Sequence, residues 1–364
     1  MNKKYFSLGL MSGTSGDGVD ASIIESDGID QIKGLSNNYH PYPSYLSGEI
    51  HRIKEKIKNS NDLIRFSDEI EFLSGKLTDF HASVANKWFE NIKVDIIGFH
   101  GQTIFHNPEE KISKQIGWGK KLSSLTKKIV VYDFRQNDLK NGGEGAPLTP
   151  IYHKLLAKIF AKKRKIKLPV TILNIGGIAN ITSISKNYEM LSMDIGPGNC
   201  LIDKWIRLNT DKSFDDNGTI ARSGKIDKFI LEQSLDNFYH NKIRKKKSFD
   251  INDFDLSFAR ELTLENGAAT LTEFTADILS KKILDDDTYV CGGGRKNKFL
   301  IESIKKKVKN KIKKIDDLGI DGDFIESQAF AYLAIRSYLK LPISFPETTG
   351  CKKPCTGGKI VGNF

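Results

Sequence analysis

The residues best suited to chemistry in this 364-residue chain lie in short runs that crowd glycine, hydroxyl and carboxylate groups together. Residues 12–20 read SGTSGDGVD, so that Gly13, Gly16 and Gly18 alternate with Thr14, Ser15, Asp17, Val19 and Asp20. Bare main chain lets N–H groups approach phosphate oxygens, the hydroxyls add donors, and Asp17 or Asp20 can hold Mg²⁺ through water. An ordinary hairpin loop would use the same residue types for turn geometry alone. Residues 174–180, NIGGIAN, repeat the pattern around Gly176 and Gly177, and Gly292, Gly293 and Gly294 form a third such stretch. A nucleotide needs main-chain donors for its phosphates and a flat wall for its purine, and three glycine turns that follow apolar runs meet both needs. Better-known nucleotide signatures are absent. No G-x-G-x-x-G opens a helix, and GTIARSGKI at 218–226 has the wrong glycine spacing and Ile after the Lys.

Asp194 ends an apolar run in MDIGPGN. A carboxylate there can serve as a general base, an effect of about 10² to 10⁴ in rate, or it can simply cap the turn and the helix that starts near Asn199. His100 and Gln102, in FHGQT, follow another apolar run and can read sugar hydroxyls, although a lone His is as readily structural. Arg135 in DFR suits a bidentate carboxylate contact or a surface ion pair. Glu326 opens a helical pattern, where a carboxylate also suits the positive end of the helix dipole. Zinc and serine-hydrolase chemistry find no support: there is no H-E-x-x-H, no second matched Cys pair, and no G-x-S-x-G around Ser12 or Ser15.

These groups need strands to carry them. Residues 4–10, 169–173 and 287–291 are β-branched or apolar and run into the glycine turns, and after the first two the chain alternates again, as a returning strand would. Two such hairpins imply two related lobes. Residues 94–100, 128–134 and 191–199 read as further strands, and residues 63–92, 268–284 and 323–339 as helices, an α/β pattern. The length suits two domains, here divided as 1–134 plus 340–364 and 135–339.

Hydrophobic residues make up 39% of the chain, enough for true cores. The formal charge of +11 raises the question of nucleic acid, but it is spread over Lys-rich runs at 154–167, 242–247 and 305–314, interleaved with apolar residues as on solvated helix faces. No zinc-finger, helix-turn-helix or RNP-type pattern accompanies them, so nucleic acid is not expected as a partner. Four Cys, with one C-x-x-x-C pair at Cys351 and Cys355, read as reduced thiols. No 18-residue apolar segment occurs, so neither a membrane span nor secretion is expected and the location reads as cytoplasmic.

The blocks GLMSGTSGDGVDA, IGFHGQTIFH, VVYDFRQNDLKNGGEGAPLTPIYHK, LNIGGIANIT, DIGPGNCLIDKWI, YVCGGGRKN and ESQAFAYLAIR, in this order from residue 8 to about 360, closely resemble the anhydro-N-acetylmuramic acid kinases. The resemblance implies the two-lobed actin, Hsp70 and sugar-kinase fold, ribonuclease H-like, with an ATP cleft between the lobes. It implies conversion of 1,6-anhydro-N-acetylmuramic acid, ATP and water into N-acetylmuramic acid 6-phosphate and ADP in peptidoglycan recycling, with Mg²⁺ and a homodimeric enzyme. Asp194 would be the base and residues 13–20 the phosphate segment. Gly176, Gly177, Gly196, Gly198, Gly292, Gly293 and Gly294 would line the nucleotide, and His100, Gln102, Arg135 and Glu326 the sugar. Glu144 stands where many relatives carry Gln, and Gly16 where a larger residue is common.

Overall fold

The computed structural model describes residues 2–90, 92–240, 248–283, 287–309, 311–362 and 364. The chain forms strands β1 (Tyr5–Ser12), β2 (Gly18–Ser26), β3 (Ile32–Pro41), β4 (Ile96–Asn107), β5 (Ile112–Ile116) and β6 (Ile129–Tyr132). Further on come β7 (Val170–Ile175), β8 (Ile178–Ile184), β9 (Met190–Pro197), β10 (Asp287–Cys291), β11 (Ile312–Lys314) and β12 (Lys359–Val361). They assemble into two sheets, ordered β12-β6-β4-β1-β2-β3 with β5 on β4, and β11-β10-β7-β8-β9.

The two sheets repeat one plan. From β3 to β6 the pairings run antiparallel, antiparallel, parallel, parallel. From β9 to β11 they follow the same sequence. In each, a glycine-turned hairpin supplies two strands, and a long helical crossover returns the chain beside the first of them, as a parallel pair requires. The expectation of two related lobes, made from the hairpins, is thereby met in the strand order.

Contacts divide the chain into Met1–Ile159 with Phe324–Phe364, and Phe160–Asp323. The expected seams at 134 and 339 differ from these for a physical reason. The helix Ile325–Tyr338 is buried along almost its whole length, and it packs on β1, β2 and β4 rather than on the second sheet. Its seat is set by two glycines: a Cβ on Gly9 would lie 1.9 Å from the Ser327 carbonyl oxygen, and one on Gly98 2.3 Å from that of Phe330. Against the other face, Leu10, Val19 and Ile97 meet Leu46, Ile50, Leu73 and Leu77 of the helices Ser44–Lys56 and Ser67–Phe89. The single helix expected over 63–92 is two, because Phe66 leaves helical geometry (φ −106°, ψ 23°) between Ser60–Arg65 and Ser67–Phe89. In the second unit the helix Leu264–Ser280 buries Ala268, Leu271 and Ile278.

The Lys-rich run 242–247 lies outside the described residues. Lys305 and Lys306 are exposed, while Lys307 pairs with Glu273 (2.6 Å) and Asp277 (3.2 Å). All four Cys are free thiols, as expected. Among the described residues no helix is long and apolar enough to cross a membrane.

Candidate active site

In the first unit, β1 and β2 pair with Met11 opposite Asp20, which makes the glycine run the tip of a hairpin. Gly16, at φ +68°, donates its N–H to the Gly13 carbonyl (3.2 Å) and closes the turn. The carbonyls of the tip are held by neighbours: Gly13 by Gln102 Nε2 (2.9 Å), Thr14 by Lys54 Nζ (2.6 Å), Gly16 by Ser47 Oγ (2.8 Å) and Asp17 by the Tyr42 N–H (2.8 Å). In a trans peptide the N–H points opposite the carbonyl. The amides of Thr14, Ser15 and Asp17 therefore face away from the groups that hold the tip, as a phosphate grip requires. Thr14 and Ser15 are exposed, and the Ser15 hydroxyl donates to Asp17 Oδ1 (2.7 Å). Beneath the tip, Ser12 Oγ meets Tyr42 OH (2.6 Å) and His81 Nε2 (3.2 Å). Ser47, Lys54 and Tyr42 were invisible to sequence reasoning, because they lie on or beside a helix some thirty residues away with no motif of their own.

A second group in this unit joins two of the expected sugar-site residues. His100 donates from Nδ1 to the Gly101 carbonyl (2.7 Å), so its Nε2 accepts from Arg135 Nη2 (3.0 Å). Burial, and then the Arg135 charge, push its pKa down to about 3 and keep the ring neutral. Arg135 Nη1 also donates to the Gly145 carbonyl (2.8 Å). Both His100 nitrogens are thus engaged, which moves its part from meeting a hydroxyl to holding Arg135. Gln102 is different: its Nε2 donates to Gly13 and Thr103, while its buried Oε1 has no hydrogen-bond partner among the described residues. Buried acceptors are rarely left so, and a ligand donor would complete it. Glu326 sits in the first turn of Ile325–Tyr338, four residues before Phe330, whose ring lies 4.6 Å from His100. Residues i and i+4 share a helix face, so Glu326 is on the side that meets His100.

Asp138, which sequence reasoning passed over, shapes the loop that carries Glu144. Its Oδ2 accepts from the Gly145 N–H (2.7 Å) and its Oδ1 from Thr349 Oγ1 (2.6 Å). A Cβ at Gly143 would lie 2.1 Å from that carboxylate, so glycine is required there by space. The Glu144 N–H donates to the Thr349 carbonyl (2.9 Å).

The second unit brings its expected residues together. Register places Cys291, Asn174, Asn180 and Asp194 side by side across β10, β7, β8 and β9. Asp194 is 9% exposed, and its Oδ2 accepts from the Phe249 N–H (2.9 Å), which orients the carboxylate. Next to this polar row, Gly198 donates to the Gly177 carbonyl (2.9 Å) and Asn199 to that of Gly176 (2.8 Å). A Cβ on Gly198 would stand 2.2 Å from the Gly176 oxygen. Gly292, at φ +78°, and Gly294 press on Ile175, while a Cβ on Gly293 would meet nothing nearer than Asn199 Nδ2 at 4.0 Å. The glycines at 176–177, 198 and 292–294 are therefore one surface of close-packed main chain, with open space at Gly293. Gly196 has a different task, since its missing side chain makes room for Ile278 (2.5 Å).

Among the described residues no group of three or more His, Cys, Asp or Glu could cage a metal ion. Asp17 and Asp20 are carboxylates at the tip and on the strand that leaves it, oxygen donors of the kind that suit a hydrated Mg²⁺ brought in by phosphate.

Comparison with known proteins adds a family. The family model described as anhydro-N-acetylmuramic acid kinase matches residues 4–363. A protein of that name from Pelagibacter ubique is 53% identical over the whole of both chains, and one from Rhizobium johnstonii 37% identical over 97% of each. Among solved structures, a ROK family glucokinase from Streptomyces griseus aligns with a TM-score of 0.41 and 12% identity, over 90% of this chain and 99% of its own.

Proposed function

The chain belongs to the anhydro-N-acetylmuramic acid kinase family, and from that membership we propose how its residues divide the work of phosphorylating 1,6-anhydro-N-acetylmuramic acid with ATP. The bridged sugar has no proton on O6, so a base directed at O6 would have nothing to remove. Asp194 instead takes a proton from water, whose oxygen attacks C1. The C1–O6 bond breaks, O6 takes the γ-phosphoryl group, and ADP leaves. The products are N-acetylmuramic acid 6-phosphate and ADP, with the water oxygen at C1.

The observation that carries this reading is the placement of Asp194: buried, oriented by the Phe249 N–H, and in register with Asn180 and Asn174 beside the glycine surface. The amides of Thr14, Ser15 and Asp17 grip phosphate, and preorganised donors of this kind carry most of the catalysis in phosphoryl transfer. Gly176, Gly177, Gly198 and Gly292–Gly294 form the nucleotide's wall. Asp17 or Asp20 would hold an Mg²⁺ brought in with ATP, and that ion would supply positive charge against the phosphates. Arg135, held by His100, together with Gln102 and Glu326, reads the sugar. The enzyme works in the cytoplasm as a homodimer, which light scattering of the purified protein tests.

Asp194→Asn tests the base. ATP binding should stay within about twofold, and ADP release with the anhydro-sugar should fall by at least about 10². Near-normal turnover would remove Asp194 from the role.

A further inference from the structure

Arg295 follows the Gly292–Gly294 turn directly and is 4% exposed. Its guanidinium has five N–H donors, and all five are used. Nε and Nη2 form a fork on Asp316 (2.8 and 3.0 Å), and Nη2 also reaches Asp321 (3.2 Å). Nη1 donates to Asp323 and to the carbonyl of Gly292 (3.1 Å). Gly292 is clipped from its other side as well, because its N–H donates to the Gly322 carbonyl (3.0 Å). Gly322 itself has no room for a side chain, since a Cβ there would lie 2.5 Å from Arg295 Nε. One cation thus ties the glycine turn to the acidic segment 316–323.

We propose that Arg295 is a positioning residue for the nucleotide: it fixes the main chain of the Gly292–Gly294 turn and screens three aspartates that would otherwise repel a polyphosphate from it. This rests on the reading of that turn as part of the nucleotide wall. With Arg295 and Lys296 in place the cluster carries one net negative charge, and without Arg295 it carries two. A lysine would keep the charge, but its ammonium could not reproduce the fork on Asp316 together with the bonds to Asp321, Asp323 and Gly292. A purely structural arginine would affect both substrates alike. A positioning one acts on the nucleotide alone.

The test compares Arg295→Met, Arg295→Lys, Asp321→Asn and Gly293→Val in the full-length enzyme, measuring ATP affinity by calorimetry and both KM values. Arg295→Met should raise the ATP KM by about tenfold or more, the scale expected when one partner of a buried charge cluster is removed, with the sugar KM within about twofold. Its ATP affinity should improve as NaCl rises from about 0.05 to about 0.5 M, because exposed repulsion is screened over that range. Arg295→Lys should weaken ATP binding without that salt reversal. Asp321→Asn, at the most exposed of the three carboxylates, should tighten it and keeps the question answerable if Arg295→Met does not fold. Gly293→Val projects into open space and should block ATP if the turn is the nucleotide wall. Lost ATP binding in Gly293→Val with normal ATP binding in the Arg295 variants would overturn the proposal alone. Normal ATP binding in both would overturn the wall reading and the proposal with it. Equal rises in the two KM values of Arg295→Met would mark a structural role and also overturn it.

Discussion

His81, His100 and His153 are all buried, and burial is the leading cause that pushes their pKa values down, to about 4, about 3 and about 3. The consequence for stability has a definite sign. Above about pH 6.5 the three are neutral whether the chain is folded or not, so they add no pH dependence. Below it the unfolded chain takes up protons that the folded chain refuses, and stability falls with pH from about 6.5 down toward about 4. The slope is at most about 4 kcal/mol per pH unit for three histidines. Urea unfolding at a series of pH values between 7.5 and 5 should therefore show a falling midpoint, and a flat one would contradict the buried, neutral assignment. Asp316 and Asp323 add to the loss at lower pH. Arg295 lowers the pKa of Asp316, and for Asp323 burial pushes the pKa up while the bonds to Arg295 and Lys296 together bring it below the ordinary value. Their contribution is present above the ordinary aspartate value near 3.9 and disappears as pH falls below it. At this scale the sequence showed that residues 13–20 hold a turn between two strands and that Asp194 lies toward the end of a strand. It was silent on Asp138, Lys54 and Ser47, whose work depends on neighbours that only folding supplies.

The glycine positions separate elements that must touch from those that need not. Gly9 and Gly98 let the helix Ile325–Tyr338 lie on β1 and β4, and a methyl group at Gly9 would fall 1.9 Å from a backbone oxygen that no rotamer change can move. Gly9→Ala should cost about 1–3 kcal/mol or more in urea unfolding, the range for forced overpacking. Gly48, inside the helix Ser44–Lys56, has nothing within 4 Å of its would-be Cβ. Gly48→Ala should instead stabilise by about 0.5–1 kcal/mol. Equal effects from the two substitutions would refute the close helix seat. The hairpins β1–β2 and β7–β8 were readable because apolar and β-branched runs, buried along most of their length, flank a glycine turn. The edge strand β3, IKGLSNNYHP, was not, because most of its residues are exposed and no apolar alternation marks it. The break at Phe66 also left no signal, since an aromatic residue at a helix junction and one inside a helix read alike.

Across the whole molecule, the repeated sheet plan means that equivalent hairpins carry the two glycine turns, the Gly13–Gly18 tip on one unit and the Gly176–Gly177 turn on the other. Sequence order suggested the pairing of hairpins but could not give the strand order. β4 and β10 reach their places beside β1 and β7 only after long helical crossovers, and nothing local in either strand names its neighbour. The seams at Ile159 and Phe324 were missed for a related reason: a helix that begins the last segment belongs to the first sheet, through contacts some 230 to 320 residues away in the chain.

The most direct measurement of the proposed chemistry follows oxygen. The reaction is run with 1,6-anhydro-N-acetylmuramic acid and ATP in ¹⁸O-enriched water, the sugar phosphate is analysed at once by mass spectrometry, and Asp194→Asn is run in parallel. Attack of water at C1 predicts one ¹⁸O on the anomeric carbon, unlabelled phosphoryl oxygens, and loss of both label and product in the variant. Label in the phosphoryl group with none at C1 would place the water on phosphorus and contradict the account.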